Sequence, residues 1–148
     1  LGAYFLLNHC KTPNVKKPLL IITGDEGLYN SINNGWVKQL IGDTLKTDLN
    51  TKTVIKELAQ KFDTYILRPE ESYSAGEYRI IHEQWSNLLG AQRVMKMRDP
   101  KRIIDCSIAI SSYYANNLEE GLGMLKRRQT PEQVKEVLDV LHPLLGGK

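Results

Sequence analysis

The sequence predicts an α/β domain built on a short parallel sheet, and three observations carry that prediction. A continuously apolar run, Leu19-Leu20-Ile21-Ile22-Thr23, passes straight into Gly24-Asp25-Glu26-Gly27. An unbroken apolar run of this length marks a strand buried on both faces, with helices above and below it. After a helical pattern comes a second strand-like run, Asp63-Thr64-Tyr65-Ile66-Leu67, stopped by Arg68-Pro69. That order is a βαβ unit, with parallel strands and a right-handed crossover. A third strand, short and at a sheet edge, is predicted within Gln92–Met97. Open sheets of this class gather ligands at the carboxyl ends of their strands, so the acidic, glycine-flanked turn is where a chemical site is expected.

Each element has its own signal. Leu1–Cys10 is apolar at nearly every position and reads as a buried helix end or a strand; as a helix it ends on His9, a cation suited to a C-terminus. Lys11–Pro18, with two prolines and Asn14, is a loop feeding the first strand. Trp36, Val37, Leu40, Ile41 and Thr44 recur at helical spacing. Asp48-Leu49-Asn50-Thr51 supplies caps for a helix whose apolar face is Val54, Ile55, Leu58, Ala59 and Phe62. Ser74 and Glu77 form a capping box ahead of a helix burying Tyr78, Ile81, Trp85, Leu88 and Leu89, with Gly90 to end it. Asp99-Pro100 opens the next helix, which carries Ile103, Ile104, Cys106, Ile108, Ala109 and Ile110. A break is predicted beyond Asn116-Asn117, where Gly121 and Gly123 weaken the pattern. Thr130-Pro-Glu-Gln133 starts a last helix burying Val134, Val137, Leu138 and Leu141, and Pro143 with Gly146-Gly147 is expected to end it.

A chain of 148 residues, 41% hydrophobic and 25% charged, has the composition of one ordinary globular domain. The net charge of +3 is mild, and the densest basic run, Lys126-Arg127-Arg128, reads as a solvated helix end in preference to a nucleic-acid patch. Cys10 and Cys106 lack CxxC spacing and sit in apolar company, as free buried thiols do, which predicts a reducing, cytoplasmic setting. No apolar run approaches the roughly 18 residues of a membrane span, and no signal peptide is present.

Candidate chemistry centres on Asp25 and Glu26. Adjacent carboxylates at a strand end can supply oxygen ligands to Mg²⁺, which keeps several of its waters; the alternative is a plain turn, where Asp and Gly serve the backbone. Gly24-x-x-Gly27 is too short for a dinucleotide fingerprint and lacks the Lys-Ser/Thr of a P-loop. His82 with Glu83 reads as a boundary pair on a helix, and Glu70-Glu71-Ser72 as a solvated loop at the same sheet edge. No ordered nucleophile, base and orienting acid can be assembled.

Taken in order, PLLIITGDEG, VIKELAQKFDTYILRP and EQWSNLLGAQRVMKMRDPKRIIDCSIAI resemble the C-terminal half of a von Willebrand factor A-like domain, of the kind found in intracellular multidomain proteins. The resemblance spans residues 1–111 and leaves 112–148 as a helical tail. It implies a Rossmann-like, three-layer fold whose fourth, fifth and sixth strands are present. The family's metal-ion-dependent site draws on an Asp-x-Ser-x-Ser motif, a Thr from a later loop and an Asp after the fourth strand. Only the last has a counterpart, Asp25, and Thr23-Gly24-Asp25-Glu26 stands where the family has Thr-Asp-Gly.

The resemblance therefore implies Mg²⁺ held by Asp25 together with ligands from outside this chain. It also implies that the edge of strand 19–23 is covered by an N-terminal half or by another chain, since a bare apolar edge aggregates. The opening residue, Leu1 and not Met, points to a chain that begins inside a longer polypeptide. The leading expectation is a non-enzymatic protein-binding or complex-assembly module with a protein partner and neither nucleic acid nor membrane as ligand. The alternatives are a metal-dependent hydrolase or phosphotransferase using Asp25 and Glu26, with Arg68 and Glu70 as the local clamp, and a metal-free scaffold.

Overall fold

The structure is a computed structural model and describes residues 1–70 and 74–146. It is α/β, with a three-stranded parallel sheet between two layers of helices. The elements are α1 (Gly2–His9), β1 (Leu19–Thr23), β2 (Ser31–Ile32), α2 (Asn34–Leu40), β3 (Leu49–Asn50), α3 (Thr51–Lys61), β4 (Asp63–Pro69), α4 (Ala75–Leu89), β5 (Val94–Met97), α5 (Ile103–Tyr114), α6 (Leu118–Lys126) and α7 (Pro131–Leu145). The sheet order is β1-β4-β5, with Ile21 beside Tyr65 and Leu67 beside Met95.

Strand side chains alternate between the faces, and this sorts the core into two halves. Leu19, Ile21, Tyr65, Leu67, Met95 and Met97 pack against α5, α6 and α7. Leu20, Ile22, Ile66 and Val94 pack against α1, α3 and α4. The sheet is thus covered on both sides, which is why its strands read as apolar runs. Burial is not even, however. Thr64 to Arg68 on β4 are buried, whereas Leu19 to Ile22 on β1 are only half-buried. The expectation that 19–23 is buried on both faces is corrected in depth: β1 is packed on both faces but only half-buried, because it is an edge strand beside central β4 and nothing in the described residues pairs with its outer side.

Local signals act where they were read. Asn50 caps α3, Ser74 with Glu77 closes a capping box on α4, and Thr130 with Gln133 does so on α7. Gly90 ends α4 at φ +93°, a conformation a side chain resists. Asn116, at φ 56°, makes the break before α6. Leu1–Cys10 resolves to a helix, and its C-terminal carbonyls at Leu6, Leu7 and Cys10 accept from the Lys61 ammonium at 3.1, 2.6 and 2.6 Å. Cys106 is fully buried, and burial pushes its thiol up to about 12.

Three expectations change. The stripe from Trp36 to Thr44 gives only the short helix α2, with Val37 buried and Trp36 and Leu40 exposed. The chain turns back there so that β2 and β3 can pair antiparallel, which buries Val37 against Ile32, Tyr4 and Val54. Arg68-Pro69 does not stop the second strand: both residues continue β4, opposite Lys96 and Met97. Nor does Pro143 end α7, which runs to Leu145. The proline faces solvent over exposed Asp139, whose carbonyl water can satisfy, while buried Leu144 holds the last turn down.

Residues beyond 111 are continuous with the sheet's core. Helix α5 runs through that position, and Val137 and Leu141 of α7 share one cluster with Leu67 and Met95. Among the described residues no helix is long and apolar enough to cross a membrane. Replacing fully buried Leu141 with alanine is expected to lower unfolding free energy by about 2–5 kcal/mol, read from urea titrations, as for a core position in any domain. A free-standing tail would lose almost nothing.

Candidate functional site

The acidic turn lies at the carboxyl end of β1, and the sheet and α4 hold its backbone at successive residues. The Gly24 amide donates to the Leu67 carbonyl at 3.2 Å. The Asp25 carbonyl accepts from Arg68 Nη2 at 3.0 Å, and the Glu26 carbonyl from the Trp85 indole at 3.1 Å. The Leu28 amide donates to Gln84 Oε1 at 3.2 Å. Between them, Gly27 lets α4 come close, since a Cβ there would meet Gln84 Oε1 at 3.0 Å and Ile81 Cγ1 at 3.3 Å. The bonds named here all hold the turn by its backbone.

Arg68 is the centre of this arrangement. Its side chain is fully buried (0% exposed) beneath α4. The guanidinium donates to the Tyr78 carbonyl at 3.1 Å as well as to Asp25, and its carbon stands 4.3 Å from the Tyr78 ring centre. Tyr78 returns a hydroxyl bond to the Arg68 carbonyl at 3.4 Å. Charge-assisted bonds of this kind, with an aromatic face, are what offset the cost of taking a cation out of water.

The sequence-predicted residues separate here. Asp25 and Glu26 stay together at the strand end. Arg68 reaches Asp25, but through the backbone carbonyl, and its burial removes it as a clamp for a phosphate group. Glu70 turns to exposed Arg98, 4.0 Å away; Glu71 and Ser72 lie outside the described residues. His82 is half-buried and stacked on Tyr78 with ring centres 6.0 Å apart. Burial, with Lys96 and Arg68 nearby, lowers its pKa.

Among the described residues no group of three or more His, Cys, Asp or Glu side chains is placed to hold a metal ion. Asp25 and Glu26 are the two carboxylate residues at this strand end, and the Arg68 guanidinium stands 3.0 Å from the Asp25 carbonyl oxygen.

Beside the turn opens a cleft of about 750 Å³, within the range of ligand-sized sites. Its walls are apolar, with Ala3 and Leu6 from α1, Ile22 from β1, Leu28 from the loop, Trp85 from α4 and Trp36 from α2. Trp36 (61% exposed) and Tyr29 (79%) stand at its rim. Sequence periodicity placed Trp36 in a core stripe and so missed this cleft. The usable signal was the length of α2, too short to bury a full stripe, with Asn33 capping it at 3.0 Å and Asp48 accepting from the Asn34 amide at 2.9 Å. A second groove, of about 870 Å³, runs along β5 between α4 and α7, where Lys96, Arg98 and Lys135 alternate with Glu132, Glu136 and Asp139.

Comparison with known proteins adds no relative: no family model, no curated protein and no solved structure matches the chain.

Two outcomes test the Arg68 anchor. Arg68→Ala removes the guanidinium bonds to the Asp25 and Tyr78 carbonyls and is expected to cost about 1–3 kcal/mol, read from denaturant midpoints. Lysine, a point charge without the planar fork, should recover only part of it. The second outcome concerns pH. Burial holds the Tyr78 hydroxyl up at about 12, against the opposing pull of Arg68. The folded state then grips this proton more tightly than the unfolded chain, whose tyrosine loses it near pH 10. Tyr78 therefore adds stability that is whole below about pH 10 and lost as the pH climbs towards 12. Tyr78→Phe should flatten that alkaline decline in unfolding free energy.

Proposed function

We propose that this chain is a non-enzymatic protein-binding or complex-assembly module that works without a bound metal. A partner protein places an apolar side chain in the cleft beside the acidic turn, with Trp36 and Tyr29 closing over it. The observation that carries this reading is the buried Arg68 guanidinium bonded to the Asp25 carbonyl. It holds the turn's backbone from within by a cation of the chain's own.

Further features support the same reading. Exposed Trp and Tyr at the rim of an apolar cavity are the residue types that dominate protein interfaces. The turn is anchored at Gly24, Asp25, Glu26 and Leu28, so binding orders little backbone, and little ordering entropy is lost. On the enzyme side, the cation bonded to the acidic turn, Arg68, is buried, and a phosphoryl or acyl transfer requires charge stabilisation within reach of substrate as well as an activated attacker.

The test uses a displayed peptide library panned against the wild-type chain and against Trp36→Ala. Enriched peptides should share an apolar or aromatic anchor and bind the variant at least about tenfold more weakly, about 1.4 kcal/mol or more. Adding Mg²⁺ or removing divalent ions with a chelator should change neither binding nor melting temperature. A rise in melting temperature with Mg²⁺ that Asp25→Ala abolishes would return the metal site, and Mg²⁺-dependent turnover of an aryl phosphate would return the enzyme.

A further inference from the structure

The outer edge of β1 carries an unused ladder. The Asp63 amide donates to the Pro18 carbonyl at 2.8 Å, and the Gly24 amide to the Leu67 carbonyl at 3.2 Å. In a parallel pair these two bonds fix which residues face the neighbour: Pro18, Leu20, Ile22 and Gly24 turn their backbone groups to β4. Leu19, Ile21 and Thr23 turn theirs outwards. Among the described residues no hydrogen bond reaches those outward amides and carbonyls.

The other edge of the sheet is guarded and this one is not. At β5 a lysine, Lys96, sits mid-strand, Arg98 follows the strand, and the charged groove flanked by α4 and α7 borders it. Charged residues on an edge are how sheets keep strangers away. β1 has no charge between Leu19 and Thr23, and its half-buried side chains leave apolar area open on both faces.

The charges stand at its two ends instead. Lys16 and Lys17 precede the strand; Asp25 and Glu26 follow it, and Lys16, Lys17 and Glu26 are exposed. Turned antiparallel about Ile21, the stretch is complementary to itself. Ile21 meets Ile21, and Leu19 meets Thr23, so every outward residue meets an outward residue. The same register sets Lys16 towards Glu26 at both ends, while Lys17 stands 3.9 Å from Asp63 of its own chain. Pro18 does not obstruct, because it faces β4. The Lys17 carbonyl is already held by the Tyr114 hydroxyl, so the ladder stops at Leu19 and Lys16 contributes through its side chain.

We propose that a second copy of this chain occupies the edge, β1 pairing antiparallel with β1 across a two-fold axis at Ile21 to make one continuous six-stranded sheet. This goes beyond the cleft reading and uses a different surface, so either can fail alone: Trp36→Ala should leave the dimer intact, and a monomeric chain could still bind peptides in the cleft.

The experiment is sedimentation equilibrium and native mass spectrometry of the whole chain over a wide concentration range. The wild type should be a dimer. Lys16→Glu and Glu26→Lys each set like charges together twice per dimer and should weaken it about tenfold. Mixing the two variants restores opposite charges at both ends and should give a heterodimer as tight as the wild type. Thr23→Pro, at an exposed position, removes an outward amide and should also weaken the dimer, with circular dichroism confirming that each variant is folded. A chain monomeric at every concentration overturns the proposal, and so does a dimer indifferent to all three substitutions, or one whose charge variants are not rescued by mixing.

Discussion

A guanidinium sealed from water organises the carboxyl end of this sheet. Arg68 lies on the central strand, under α4, and donates to two carbonyls, Tyr78 in the first part of α4 and Asp25 in the acidic turn. Taking a cation out of water costs several kcal/mol, and only well-directed acceptors offset it. The acceptors are therefore fixed as firmly as the cation. Once Arg68 is in place, the relative positions of β1, β4 and α4 at this end of the molecule follow from it.

The cleft depends on the same constraint. With Asp25 and Glu26 pinned through their carbonyls and Leu28 held by Gln84, the loop after β1 cannot settle onto the sheet and fill the space beside Ile22. The short β2–β3 pair then carries α2 along the far side, which leaves Trp36 over an apolar hollow and not within a core. Fixed backbone, apolar walls and an aromatic lip together describe a surface suited to recognition more than to chemistry. The opposite edge, along β5, keeps its charges interleaved and guarded.

The fold's parts were largely legible in the residues. Runs such as Leu19–Thr23 and Asp63–Leu67 announced strands because a sheet covered on both faces needs apolar side chains at every position. Asn50, Ser74 and Thr130 announced helix starts because an unpaired amide needs an acceptor within a few residues. Asp25 and Glu26 could be placed at a strand end on the same grounds. Trp36 misled, since helical spacing says which side chains share a face and not whether anything lies opposite. Arg68-Pro69 misled for a related reason: a buried cation and a proline both oppose a strand locally, and a partner ladder with Met97 and a waiting pair of carbonyls overrules them.

What the sequence by itself determined was everything whose cause lies within a few residues: element types, their caps, the two-face alternation of the sheet and the acidic turn at the end of β1. The tertiary structure alone decided that β4 is central, that Arg68 serves the turn's backbone, that residues 31–32 and 49–50 pair, and that, among the described residues, nothing pairs with the outer edge of β1. Those outcomes join groups far apart in the chain. Whether a buried charge or an apolar face is satisfied depends on which distant element arrives beside it, and no local pattern carries that information.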